Sequence, residues 1–287
     1  MKKYLKDGFV VYHYEFDTLQ QFLTQIQSRP INQNVFSKLI SHETDTRIIK
    51  FTGTKDFEEA VDLCQKGWSE DFEKLVSIKK RIDKRLLSSI IKPRQVQDIV
   101  GYNPSVPDYL IGNPLNMWNK TKKQSFDSIN IYINIDYNYK TDKNSIFNRG
   151  IIVLSLIDAI QQKGYNVIFK AFCCSHEDNE LLFASFNLKN GREKLNIKKT
   201  YFPLCHPSFV RRLIFLLIET TPFECKRWEN GYGFPSRFTI FKNIINPGPN
   251  DIIITQPLEM GIRGYDIYDD LESFLMHTNL QEFLTRI

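Results

Sequence analysis

The stretch from Ile129 to Asp136, INIYINID, followed by Tyr137, Asn138 and Tyr139, constrains this chain more than any other. It reads as a buried strand ending on a carboxylate, with a polar loop and a long apolar helix behind it. In open parallel sheets that order places a ligand at the carboxyl ends of the strands. Beyond it the pattern predicts a helix over Arg149–Lys163, strands over Asn166–Phe172 and Leu181–Leu188, and a helix over Pro207–Glu219. A strand over Ile252–Thr255 and a helix over Tyr268–Leu284 complete the series. The hairpin-like step from Phe172 to Leu181 predicts one antiparallel edge strand on an otherwise parallel sheet.

The first 125 residues have a different character. Phe9 to Tyr14 reads as a short strand, Thr18 to Gln27 as a helix ended by Pro30, and Ile48 to Phe51 as a second short strand. In FTGTKDFEEAVDLCQKGW, Thr54 is placed to cap a helix, Asp56, Glu58 and Glu59 load its first turn, and Gly67 suits its end. A further helix is expected from Asp71 to Ile91. Its apolar stripe is Phe72, Leu75, Ile78, Ile82, Leu86 and Ile90, and its exposed face is basic. Residues 101–118 carry three prolines and two glycines among large apolar groups, which predicts an ordered apolar loop that needs cover. The expected architecture is therefore α/β. A basic, mostly helical region (1–125) packs on a three-layer, mainly parallel sheet domain (126–287).

Charge follows the same division. Before residue 126 there are 20 Lys and Arg against 15 Asp and Glu, and after it 18 against 18. The excess centres on Lys79, Lys80, Arg81, Lys84, Arg85, Lys92 and Arg94, with Lys120, Lys122 and Lys123 beyond. Such a face can track phosphates, and Tyr102, Tyr109 and Trp118 can stack on bases of a single strand. The competing reading is a solvated helix face with its aromatics in the core. No apolar run approaches the roughly 20 residues of a membrane span, and the amino terminus has no signal-peptide pattern. The expected location is the host cytoplasm. The five cysteines do not form a disulfide framework, and reduced, buried thiols are expected. Phosphate-cradling glycine loops and a G-x-S-x-G elbow are missing from the sequence.

Two constellations invite metal chemistry. Asp136 and Asn138 offer oxygen ligands for Mg²⁺ or Mn²⁺, against the plainer reading of an aspartate that caps its own loop. Cys173, Cys174 and His176 with Cys205 and His206 have zinc-compatible atoms but not the usual spacing, and adjacent cysteines on a strand face opposite ways.

The order strand, helix, strand, antiparallel strand, helix, strand resembles the von Willebrand factor A fold. That family's loop is D-x-S-x-S, and here the positions are Asp136, Asn138 and Lys140. Lysine cannot bind a cation, and the family's later aspartate is replaced by Gln256-Pro257. Separately, FTGTKDFEEAVDLCQKGW at 51–68 and VPDYLIGNPLNMW at 106–118 resemble an uncharacterised bacteriophage and prophage family carrying F-T-G-T-x-x-F-x-E-A and V-P-x-Y-L-x-G-x-P-x-x-M, with a following strand-helix segment matched by INIYINIDYNY and RGIIVLSLIDAIQQKG. That resemblance covers about residues 51–170 and implies a viral or mobile-element context, with no catalytic residue to transfer. The leading expectation is a non-enzymatic phage protein that binds a protein partner as an assembly or host-interaction factor, in the cytoplasm or the virion. The alternatives are a nucleic-acid-associated protein using the basic helix and a metal-dependent module centred on Asp136.

Overall fold

The computed structural model describes residues 1–70, 72–73, 75–80, 95–120, 128–138, 141–162, 165–191, 193–225, 228, 236, 238–248 and 251–255. Its centre is a six-stranded mixed sheet. In chain order the strands are β1 (Lys2–Lys6), β2 (Phe9–Phe16), β6 (Ser128–Asn134), β7 (Asn166–Glu177), β8 (Glu180–Lys189) and β9 (Ile252–Ile254). In space the order is β1-β2-β8-β7-β6-β9. β7, β6 and β9 run parallel, so that side matches the sequence reading.

The antiparallel strand is not at the edge, however. β8 turns back along β7 and then pairs in parallel with β2, Val10 opposite Glu180 through Phe16 opposite Phe186. The sequence reading missed this because β2 lies far away in the chain and carries no mark of its partner. Strands from residues 2–16 thus share one sheet with those from 128–254.

Alternation along the strands feeds both faces. Tyr12, Cys173, Leu182 and Ala184 join a large cluster whose members include residues of the helices α1 (Leu19–Ser28), α3 (Phe57–Lys66) and α5 (Lys143–Gln162). Val11, Phe172, Cys174, Leu181 and Phe183 join a second cluster with Phe241 of α8 (Phe238–Ile245). α5 is buried nearly all round: Ile151, Ile152, Val153, Leu154, Ile157 and Ile160 are each fully covered. At roughly 1.5–3 kcal/mol per buried aliphatic side chain, this helix is a principal anchor of the core.

Local signals explain most elements. Thr18 caps α1 through Gln21 N–H, and Asp56 caps α3 through Glu59 N–H. Asp56 has the role expected of Thr54, which is occupied elsewhere. Gly67 ends α3 with φ +85°. The strand expected at Ile48–Phe51 is instead a helix, α2 (Thr46–Thr52). Asp45 accepts from Arg47 and Ile48 N–H, and Gly53 takes the left-handed position at φ +87°, so two caps outweigh the β-branched isoleucines. Residues 72–73 and 75–80 are helical as expected, with Leu75 buried, and the remainder of that predicted helix lies outside the described residues.

A second, small sheet has the order β3-β5-β4, from β3 (Gln95–Asp98), β4 (Asn103–Pro104) and β5 (Met117–Lys120). Between β4 and β5 sits the one-turn helix α4 (Val106–Leu110). This is the segment expected as an irregular loop. Pro107 fits because the start of a helix needs no amide there.

Among the described residues no single helix is long and apolar enough to cross a membrane. The bent pair α6 (Ile197–Cys205) and Phe209–Glu219 has the composition, but its helices meet at 71°. The side chains of Phe209–Glu219 are all buried.

Candidate functional site

The carboxyl end of β6 is where sequence reasoning places a ligand. The side-chain oxygen of Asn134 accepts the Asp136 amide at 2.8 Å, which turns the chain out of the strand. β7 runs on past this point. The Asp136 carboxylate accepts the Cys174 amide at 2.6 Å, taking over the backbone role that β6 has given up. Asp136 is buried, and burial raises its carboxyl to about 7 against the opposing pull of the Cys174 amide and Arg149.

Arg149, from α5, closes this strand end. Its Nη2 donates to the Asn134 carbonyl at 2.6 Å and to the Thr255 carbonyl, bridging the last turns of β6 and β9. Burial pulls its pKa down, opposed first by Asp136. Both shifts say that lost hydration outweighs their mutual attraction.

A divalent cation does not fit this arrangement. The carboxylate is already engaged, burial favours its neutral form, and a guanidinium lies nearby. Among the described residues no three Asp, Glu, His or Cys side chains gather. Asn138 is half-buried, and Lys140 lies outside the described residues.

The loop after Asp136 is fixed as firmly. The Tyr137 hydroxyl donates to the Pro207 carbonyl at 2.8 Å. The guanidinium of Arg211 lies 3.8 Å from the ring centre of Phe51 and donates to the Phe51 and Thr141 carbonyls. Arg211 and Arg212 both sit on a π-helix (Phe209–Ile214) that runs into α7 (Phe215–Glu219).

Arg212, fully buried, clamps residues 41–54. It donates to Thr54 Oγ1 at 2.8 Å and to the Ser41, Glu43 and Thr54 carbonyls at 2.9–3.0 Å. Glu219 holds the same segment from the other end, accepting the Ile40 and Ser41 amides and the Ser41 hydroxyl. The sequence signal for these residues was present, since Arg211, Arg212 and Glu219 bracket the apolar run LIFLLI. Spacing alone does not distinguish a charge buried beside carbonyls from one in water.

The cysteine and histidine constellation comes apart. Cys173 and Cys174 face opposite sides of the sheet, as expected of neighbours on a strand. His176 meets Ser236 Oγ at 2.9 Å. His206 accepts the Ser208 amide at 3.1 Å and packs edge-on against Trp68, with burial lowering it to about 4. Cys205 lies against Gly150, so close that a Cβ there would stand 2.2 Å from its sulfur. All five thiols are free, with Cys225 half-buried and the rest buried.

Of the basic residues, Lys79 is turned inward, its ammonium 2.6 Å from Asp158 with the side chain 10% exposed. Lys80 is exposed, and Arg81, Lys84, Arg85, Lys92 and Arg94 lie outside the described residues. A cleft of about 630 Å³ carries Lys189, Lys194 and Lys199, and Lys189 already donates to the Val167 and Gly191 carbonyls.

Among the described residues, most of the exposed large apolar side chains lie on or beside the small sheet and α4. Asp108 organises this tip, accepting from the Ser105 hydroxyl and the Gln97 and Asn113 amides. A Cβ at Gly101 would stand 2.3 Å from the Trp118 carbonyl, so the chain crosses β5 there only as glycine. Around this frame the apolar side chains point outward: Val106 (61% exposed), Tyr109 (68%), Leu110 (76%) and Ile111 (78%), with Ile99, Val100, Tyr102 and Leu115 beside them in sequence. α4 buries none of its residues. The cover expected for Tyr109, Leu110 and Leu115 is not supplied from within the described residues.

No curated protein and no solved structure matches the chain. The family described as Domain of unknown function (DUF7192) matches residues 3–282, nearly the whole length. This mixed-sheet protein, with its plugged strand end and exposed apolar tip, belongs to the DUF7192 family.

Proposed function

We propose that the protein is a non-enzymatic, phage- or mobile-element-encoded binding protein. It holds a macromolecular partner through the tip at residues 99–115, as an assembly or host-interaction factor in the cytoplasm of a bacterial host or in the virion. The observation that carries this reading is the exposure of eight large apolar side chains within that one segment. Exposed apolar side chains gathered in one segment are what a contact surface offers.

The inner end of the sheet supports the same reading by what occupies it. We read β7, β6 and β9 with α5 as the von Willebrand A-like part of the scaffold, its loop converted from ligand binding to self-support. Arg149 stands where a cation would need negative charge, and Asp136 serves the β7 backbone.

The test is a comparison of tagged wild-type chain and Leu110→Lys as baits in phage-infected host cells. One protein recovered in defined proportion with the wild type and lost with Leu110→Lys is the expected result. Identical recoveries with both baits would remove the reading.

A nucleic-acid role keeps one specific support, the exposure of Tyr102 and Tyr109 on the same module as candidate stacking platforms. It predicts binding to single strands that weakens steeply with salt and whose salt slope falls by about one on Lys80→Ala. Binding indifferent to salt would exclude it.

A further inference from the structure

We propose that a phosphate group binds at the start of α5, held by Lys143 and Lys50 together with Arg211 and His206. The site lies beside the plugged strand end rather than in it, and it does not depend on the tip.

Place in the fold is the first argument. Anions settle where a helix begins beyond the carboxyl end of a parallel strand, because the first amides of the helix face outward there. α5 is the helix that follows β6, and it runs for 20 residues. Asp142 caps it, accepting the Asn144 and Ser145 amides and the Ser145 hydroxyl. The Lys143 amide has no acceptor among the described residues.

Uncompensated charge is the second. The Lys143 ammonium lies against the turn at Gly53, where a Cβ would stand 3.3 Å from it and 3.2 Å from His206 Cε1. Burial first, then Arg211 and Lys50, push that ammonium below the ordinary lysine range. Other lysines find carboxylates: Lys38 has Glu43, Lys66 has Asp62 and Lys79 has Asp158. Lys50 and Lys143 have no such partner among the described residues, and Asp142 is spent on its cap. Three cations from α2, α5 and the π-helix thus gather without an anion. Like charges so placed repel until a counter-charge arrives.

The remaining groups suit phosphate oxygens. Nδ1 of His206 accepts the Ser208 amide, so the ring proton sits on Nε2. Burial, then Lys143, lower His206 to about 4, which leaves it a neutral donor at pH 7. Thr141 accepts from Arg211 Nη2 at 3.3 Å through its carbonyl, while its own buried hydroxyl has no hydrogen-bond partner. Carbonyls that would repel an anion are occupied, Ile49's by the Gly53 amide and Phe51's by Arg211. A phosphate group brings about −1.5 to −2 charges at neutral pH and several acceptor oxygens, which answers both the cations and the donors.

The experiment is thermal melting of the full chain with inorganic phosphate or adenosine monophosphate from micromolar to millimolar, with chloride holding the ionic strength constant. The wild type is expected to gain stability saturably. Lys143→Met is expected to bind at least roughly tenfold more weakly, Lys50→Gln less so, and Lys143→Arg to retain binding. Without ligand, Lys143→Met is expected to melt no lower than wild type, since it loses only like-charge repulsion. Tighter binding of adenosine monophosphate identifies a phosphate monoester as the ligand, and equal binding identifies free phosphate.

A wild-type melt that phosphate leaves unchanged overturns the proposal. A rise that is the same in Lys143→Met shows an adventitious ion only and overturns it too. Should Lys143→Met fail to fold, the exposed Lys50→Gln decides, and binding indifferent to it overturns the site. A single-stranded oligonucleotide that needs Lys143 while phosphate has no effect assigns the cluster to a nucleic-acid strand instead.

Discussion

At the inner end of β6, charged groups are kept from water and each is answered by backbone: Asp136 by the Cys174 amide, Arg149 by two strand-end carbonyls, Arg212 by three. At the tip around α4 the reverse holds, with Tyr109, Leu110 and Ile111 facing solvent and no helix residue buried. Buried charge held by neighbouring backbone is structural, because removing it strands several polar groups at once. Exposed apolar surface does nothing for the isolated fold, and its consequence appears on association. The part of the molecule that resembles a ligand site thus holds the fold together, and the part that resembles a loose loop is the one we propose as a contact surface.

Substitutions should divide along the same line. Arg212→Ala is expected to have the largest effect, a loss of about 3–5 kcal/mol in chemical denaturation, since it leaves the Ser41, Glu43 and Thr54 carbonyls without their donor. A loss below about 1 kcal/mol would show that residues 41–54 are held by something else.

Asp136 gives a pH signature. Its folded pKa is raised to about 7 from an ordinary 3.8, so between those values the folded chain keeps a proton that the unfolded chain has released. The stability this confers is whole below about pH 4 and lost as the pH rises through about 7. Asp136→Asn has no such proton to lose. The stability of Asp136→Asn minus that of wild type should therefore rise by on the order of 3 kcal/mol from pH 4 to pH 8. A difference constant across that range would rule out the raised carboxyl.

Gly150→Ala tests the packing of α5 on α6. In an open helix this change adds roughly 0.5–1 kcal/mol of stability. Here the new methyl meets Cys205 Sγ and the Leu204 carbonyl, so a loss of about 1–3 kcal/mol is expected in thermal melts. A gain would show that the two helices can part.

The smallest effect belongs to the tip. Leu110→Lys should shift unfolding by less than about 0.5 kcal/mol in dilute, monomeric samples, and a larger loss there would mean that the tip is structural after all.

How far the sequence led depended on the range of the signal. β2, α1, α3, β6 and α5 were legible because caps and periodicity act within a few residues. α2 was misread because Ile48 and Ile49 favour strands, while the deciding Asp45 and Gly53 stand outside the apolar run. The parallel pairing of β2 with β8 was invisible because it joins segments with no local mark of each other. At the site, Asp136 was found where the strand pattern put it. Arg149, Arg212 and Glu219 were not, because their partners are mainly backbone atoms, which a sequence does not distinguish. The tip was found as a segment, and the cover expected there holds in part for Met117 and Trp118, which are half-buried, but not for Tyr109, Leu110 and Leu115.

That β2–β8 pairing has a consequence for how the protein is made. Val10 must wait for Glu180, about 170 residues later in synthesis. At roughly 5–20 residues per second the delay is on the order of 10–30 s. A two-stranded hairpin is marginal on its own in water, and Tyr12 and Tyr14 gain their cover only when the sheet closes. The nascent amino-terminal hairpin therefore leaves the ribosome as an unfinished edge, and cells that lack chaperones for emerging chains should yield less soluble protein.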